Sequence, residues 1–519
     1  MTGSEVEDVY ELSPLQEGIL YHAVGSPEEG LYLVRMRYGL KGPLDAEAFE
    51  RAWKKVVERH PVLRTSFHWE GTEKPLQVVH REVALPFELH DFRELPPEER
   101  ARRVEDHARR DGLRGFDLGE APLLRVALFR LEDDRHDFLW SFHHIVLEGW
   151  SASILLKEVF ALYRAFSRGV EIALPAPRPY RDYILWLQRQ DPRKLETYWR
   201  EQLSGFDAPT EVAVERAKCL FPAPKERYRR FVARFSETTT EELEKFARSH
   251  RLTMSTLLQG AFALLLGRYT GSGDVCYGSV VSGREIDLDG AESIVGLMVN
   301  TLPARVRIPG EKPALEWLTD FQRQQFEMRR YEYSSLRELQ GWSDVPRGLP
   351  LFRTLFAFQN WFGDVSLRGS ASDLEVVDVR GFEGGTNYPL SLEAQPGPPL
   401  TVVYFYDRES FDGGAIERLS RHYRLLLEGI LREPERLLGS LGLLLLEEQE
   451  QVLSLWNGPD RKYPREVSVG ELFEEKARER GEAIAVRYGK EEVSYRELNE
   501  RANRLAHALR ARGVGAESV

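Results

Sequence analysis

The sequence predicts a mixed α/β (α+β) protein built as two lobes. Its 519 residues are too many for one ordinary core. Runs with helical spacing of apolar residues alternate with short runs rich in β-branched and aromatic residues, and this grammar recurs in both halves. Between the halves lies GVEIALPAPRP, residues 169 to 179, proline-rich and without periodicity, the expected interlobe crossing.

In the first half, LDAEAFERAWKKVVERH at 44 to 60 reads as an amphipathic helix with Asp45 near its start and Pro61 closing it. VLRTSFHWE and PLQVVH flank Gly71 and read as a hairpin. PLLRVALFRLEDDRHDFLWSFHHI gives two further strands joined by the acidic turn Glu132 to Asp134, and Ser151 to Arg168 returns to helical spacing. The second half reads as a helix over 180 to 203, a polar connection holding Pro209, Pro222 and Pro224, a strand at Phe231 to Phe235, and helices at 239 to 249 and 253 to 269. Strands follow at 274 to 285, 299 to 308, 351 to 358, 374 to 380 and 400 to 406, then a helix over 411 to 432 with Gly413 and Gly414 in its first turn. Residues 433 to 470, with Pro434, Pro459 and Pro464, read as a linker. Helix, hairpin and helix follow, and their apolar faces are expected to belong against a larger domain. The expected divisions are 1–175, 176–450 and 451–519.

Composition narrows the function. The chain is 42% hydrophobic and 30% charged, as in soluble globular proteins, and 71 Lys plus Arg stand against 83 Asp plus Glu for a net charge of -12. The basic residues are scattered among acidic ones, which disfavours a nucleic-acid partner. Cys219 and Cys276 are too few for a disulfide framework and fit a reducing cytosol. The acidic start MTGSEVEDVYEL lacks an apolar h-region, and no run of eighteen apolar residues follows. A cytoplasmic protein without a membrane segment is expected.

The chemistry centres on HHIVLEGWS, residues 143 to 151, which ends an apolar and aromatic strand. A positioned imidazole accepts protons near neutral pH. Adjacent strand residues point to opposite faces, so one histidine faces a given cavity: His144 is the catalytic candidate and His143 the structural one. No HExxH or CxxC stands near them and no GxSxG occurs, so neither a metal site nor a serine nucleophile is expected. Gly149 would let a long substrate arm pass close to the backbone.

Six motifs in order resemble the condensation domains of nonribosomal peptide synthetases, relatives of chloramphenicol acetyltransferase: SPLQEGILYH (13 to 22), RHPVLRTSF (59 to 67), HHIVLEG (143 to 149), YRDYILWL (180 to 187), IVGLMVNTLPAR (294 to 305) and LFRTLFAFQN (351 to 360). The likeness covers roughly residues 9 to 450. From about 467 the chain resembles the start of an adenylation domain, with VSYREL at 493 to 498 as its first core motif, which suggests a piece of a longer assembly line. The resemblance implies two acetyltransferase-like lobes in a V-shaped pseudo-dimer with a tunnel between them. Donor and acceptor thioesters would arrive on phosphopantetheine arms of peptidyl carrier domains, with no cofactor bound by the chain itself, a downstream adenylation domain, and a monomer as excised.

In that scheme the acceptor amine attacks the donor thioester. His144 either takes the proton or orients the amine, and a backbone N–H near Gly149 is a candidate oxyanion donor. The family usually has aspartate where this chain has Glu148, and that acid is expected to pair with Arg284 as a structural buried acid. Ser13, Gln16, Trp150, Asn300 and Thr301 are assigned to the tunnel, with packing the commoner role for Ser13 and Gln16 and the main one for Trp150, and with architecture and substrate contact equally open for Asn300 and Thr301; Ser151 is a candidate helix N-cap. Epimerisation and non-catalytic recruitment are the alternative functions of the same fold; the histidine pair disfavours heterocyclisation. The reading leans to an L-configured donor.

Overall fold

Among the described residues before 444 the strand runs pair into three sheets, with central strands buried on both faces. A computed structural model describes residues 5–25, 32–212, 227–359, 374–381, 388–457 and 464–515; Cys219, Pro222, Pro224, Asn360 and Pro459 lie outside them. The chain divides into two compact units, Met1–Leu443 and Leu444–Val519.

The first lobe contains β1 (Val6–Glu11), α1 (Pro14–Gly25), β2 (Leu33–Lys41), α2 (Ala46–Arg59), β3 (Thr65–His68), β4 (Leu76–His80), β5 (Phe87–Asp91), α3 (Pro97–Arg114), β6 (Leu124–Arg130), β7 (Arg135–His143) and α4 (Gly149–Phe166). Asp45 caps α2 by accepting from the amides of Glu47 and Ala48 at 3.0 and 3.1 Å. Phe49, Trp53 and Val56 of α2 and Leu155 and Val159 of α4 bury against Phe138, Trp140 and Phe142, the inward residues of β7. On the opposite face of the sheet, Val104 of α3 packs on Ala127, Phe129 and Leu139.

The 180–203 run forms two helices, α5 (Tyr180–Leu187) and α6 (Pro192–Leu203). Pro192 cannot continue a helix from the preceding turn, and Asp191 caps the new one by accepting from the Arg193 amide at 3.0 Å. Tyr180, Tyr183 and Ile184 sit in the first lobe's core, so the crossing follows α5 rather than occupying 169–179, and the 175/176 division does not separate the two cores.

The second lobe holds β8 (Tyr228–Arg234), α7 (Glu237–Ser249), α8 (Met254–Thr270), β9 (Asp274–Val281), β10 (Asn300–Arg307), α9 (Ala314–Arg329), α10 (Leu336–Trp342), β11 (Thr354–Phe358), β12 (Glu375–Gly381), β13 (Leu390–Gln395), β14 (Thr401–Asp407) and α11 (Gly413–Arg432). Its sheet has the order β10-β9-β11-β13-β14-β8. Sequence periodicity misses β13, because both faces are buried and Ser391 and Glu393 interrupt the apolar run. Residues 433–443 are not linker: Leu438 and Leu441 are buried in the second core, and Arg268 donates to the Leu438 carbonyl at 2.6 Å.

β12 leaves its lobe. It pairs antiparallel with β2, Glu375 opposite Lys41 and Gly381 opposite Met36, and completes the first lobe's sheet in the order β12-β2-β7-β6-β5. A side chain at Gly381 would stand 2.8 Å from the Arg35 carbonyl oxygen, so only glycine allows this approach.

The second unit contains α12 (Leu446–Glu450), α13 (Val469–Glu479), the hairpin β15 (Ile484–Tyr488) and β16 (Glu491–Ser494), and α14 (Tyr495–Ala511). Ser468 and Glu471 form a capping box on α13, and Ser494 caps α14. Among the described residues, no helix is long and apolar enough to cross a membrane.

Candidate functional site

β7 ends on His143, and His144 follows it as the first residue of the turn. His143 is buried, and its Nδ1 accepts from the Ile145 amide at 3.2 Å. Burial, helped by neighbouring His144, pushes its pKa down to about 3, so the ring is neutral and serves the turn. The His144 amide donates to the Tyr32 carbonyl at 2.8 Å, while its side chain is half-buried between fully buried neighbours. Its Nδ1 is shielded and makes no hydrogen bond to another described residue. Burial holds this imidazole below the ordinary histidine range, which keeps it neutral at pH 7.

The turn after the histidines is held by an amide clasp. Gln16 donates to the Ile145 carbonyl at 2.9 Å and exchanges hydrogen bonds with Gln77 at 3.1 and 2.9 Å. Ser13 caps α1 reciprocally, its amide donating to Gln16 Oε1 at 2.9 Å and its Oγ accepting from the Gln16 amide at 3.3 Å. Both side chains are buried, and these hydrogen bonds engage their polar atoms within the protein.

Glu148 is the N-cap residue of α4, so Gly149 opens that helix and its N–H lies outside the intrahelical ladder. Ser151 does not cap the helix: its Oγ donates to the Gly296 carbonyl at 2.7 Å and accepts from the Gly296 amide at 3.0 Å. Trp150, 45% exposed, donates from Nε1 to the Glu292 carbonyl at 2.9 Å, and its ring lies 5.7 Å from the Arg284 guanidinium.

Glu148 and Arg284 pair out of water. Oε1 of Glu148 accepts from Arg284 Nε at 3.0 Å and from Nη2; Oε2 accepts from the amides of Met298 and Val299 at 3.1 and 2.6 Å. Arg284 also donates to the carbonyls of Ala291 and Ile294 at 2.8 and 2.9 Å and to Ser151 Oγ at 3.0 Å, so each guanidinium N–H has an acceptor. Burial pushes the carboxyl up, and the guanidinium and two amides oppose this. The longer glutamate arm thus reaches both the arginine and the 298–299 backbone. Gly283, at φ 67°, makes this possible: a Cβ there would lie 1.7 Å from the Met298 carbonyl oxygen.

The chain passes from one lobe to the other beside this pair. Ile294 to Met298 belong to the first core, and Asn300 begins β10 of the second sheet. Asn300 Nδ2 donates to the carbonyls of Glu332 and Ser334 at 2.8 and 2.7 Å, and its Oδ1 accepts from the Thr301 amide at 2.9 Å. These contacts tie the Asn300 side chain to the 332–334 segment and to the Thr301 backbone. Sequence reasoning missed Gln77, Tyr32 and Glu332. Glu332 is buried, its Oε1 accepts from the Glu285 amide at 3.0 Å, its Oε2 has no hydrogen bond among the described residues, and burial raises its pKa to about 7.

The whole arrangement matches a known pattern: a family model described as the condensation domain aligns with residues 6–453. The chain belongs to the condensation-domain family. A model described as an AMP-binding enzyme matches residues 473–519. This condensation domain is 42% identical over 98% of its length to a component of the linear gramicidin synthase of Brevibacillus parabrevis, but spans only 6% of that relative. Its fold resembles the starter condensation domain of rhizomide synthetase in complex with C8-CoA, at a TM-score of 0.72 and 19% identity, covering 84% of this chain and 98% of that one. The first condensation domain of the calcium-dependent antibiotic synthetase, in complex with a substrate analogue, gives a TM-score of 0.67 and 18% identity over 85% of this chain and all of the other, 100%.

Proposed function

We propose that this condensation domain joins two carrier-tethered groups in nonribosomal peptide synthesis. The amine of an acceptor aminoacyl thioester attacks the carbonyl carbon of the donor thioester; the C–N bond forms, the C–S bond breaks, and the donor thiol leaves with the proton the amine gives up. The observation that carries this reading is the neutral, half-buried His144 between buried neighbours, fixed through Tyr32 and the Gln16 clasp. A neutral imidazole has one nitrogen able to accept the ammonium proton. The Gly149 N–H at the start of α4 is the proposed oxyanion donor.

Holding two tethered reactants in line accounts for the larger share of the acceleration, up to roughly 7 to 11 kcal/mol in favourable cases. His144 adds about 100- to 10,000-fold. Donor and acceptor carrier domains with phosphopantetheine arms, a downstream adenylation domain and a cytoplasmic setting belong to the same proposal, supported by the peptide-synthase relatives and the AMP-binding segment.

The test is a single-turnover reaction between loaded donor and acceptor carriers, read by intact-protein mass spectrometry. Extension of the acceptor, slowed about 100-fold or more in a folded His144→Ala protein, is expected. An epimerised donor, an unmodified pair of carriers, or an unchanged rate in the variant would overturn the assignment.

A further inference from the structure

We propose that Glu88, His90 and His107 form a binding site for a divalent transition metal, zinc above all, on the outer face of the first lobe. Glu88 and His90 are two residues apart on β5, the edge strand of the five-stranded sheet, and so share one face. His107 comes from α3, which covers that face.

The candidate ligand atoms all lie within 4.8 Å of one another, and Glu88 Oε2 stands 3.0 Å from His90 Nε2. Zinc bonds of about 2.0 to 2.2 Å set tetrahedral ligand atoms roughly 3.3 to 3.6 Å apart, a separation that small side-chain rotations reach. Two imidazoles and one carboxylate suit zinc or its transition-metal neighbours, whereas calcium and magnesium favour oxygen ligands throughout. The exposed side of Glu88 leaves room for a water or a fourth ligand.

Phe129 orients both rings. His90 lies opposite it in the strand register and stacks on it at 5.2 Å and 12°; His107 meets the same ring edge-on at 5.1 Å and 76°. The two imidazoles are 4.9 Å apart. Nearby acids are committed elsewhere: Asp91 pairs with Arg93, and Asp111 with Arg125 and Ser141.

The site also meets a structural need. α3 runs for 18 residues yet only Val104 is fully buried, so few apolar contacts hold it to the sheet. A metal shared by β5 and α3 fastens the helix to the edge strand, at a place separate from the His144 turn.

The test uses the untagged full chain, stripped with chelator, freed of it, and titrated with zinc alone by calorimetry and by competition with a chromophoric chelator. One equivalent is expected, together with a zinc-dependent rise in thermal midpoint and slower amide exchange in α3. Each of His90→Gln, His107→Gln and Glu88→Gln should weaken binding by about tenfold or more. Glu88 is exposed, so its variant keeps the fold and secures the comparison if a histidine variant does not. No zinc uptake by the unaltered chain, or uptake that the Glu88 and histidine substitutions leave unchanged, would overturn the proposal.

Discussion

Arg284 directs two of its N–H groups at one oxygen of Glu148 and leaves the other oxygen to hold the amides of Met298 and Val299. The acid thereby fastens α4 to the segment through which the chain crosses between lobes.

Glu148→Ala should destabilise the first unit by about 3 to 5 kcal/mol, because it strands a buried guanidinium beside two unpaired amides. Denaturant unfolding measures this. A normally stable but inactive variant would instead give Glu148 a direct part in the chemistry.

Gln16→Ala removes acceptors or donors for Ser13, Gln77 and Ile145 together. The expected loss is about 1 to 3 kcal/mol for each group left buried and unsatisfied, less where water enters. Under conditions where the variant stays folded, single-turnover extension should still slow, since the released carbonyl adjoins His144.

Two buried groups give opposite pH responses. His143 falls to about 3 in the folded chain, against 6.5 unfolded, so the unfolded state binds more protons below pH 6.5 and stability declines as pH drops through that window. Glu332 rises to about 7 from 4.5, so the folded state keeps its proton longer and stability declines as pH climbs from about 4.5 through 7. Unfolding midpoints across pH should show a flatter acid slope in His143→Asn and a flatter neutral slope in Glu332→Gln.

Gly283→Ala should cost more than about 2 kcal/mol, combining the left-handed backbone with a clash against Met298. Expression and thermal midpoint report it, and Gly71→Ala, also left-handed but with open space around it, is the milder control.

The legible parts of this molecule are those whose signal is local. The aromatic run into His143 marks β7, and Asp45 and Pro61 bracket α2, because period and capping are written in neighbouring residues. The Glu148–Arg284 pairing could be expected only through family resemblance, since 136 positions separate the partners. Gln77 and Glu332 gave no sign at all: their importance lies in what the fold brings to them. α3 went unread for a related reason: charged residues fill most of its positions and Val104 is its one buried residue, so its apolar stripe is faint.

The exchange of β12 has a further consequence for anyone who would divide this protein. A first half expressed alone would present the bare rim of β2 along Met36 to Lys41, with open amides and carbonyls where Glu375 to Gly381 now lie. Such a rim invites pairing with other chains, so the severed half is expected to aggregate unless the missing peptide is supplied in trans.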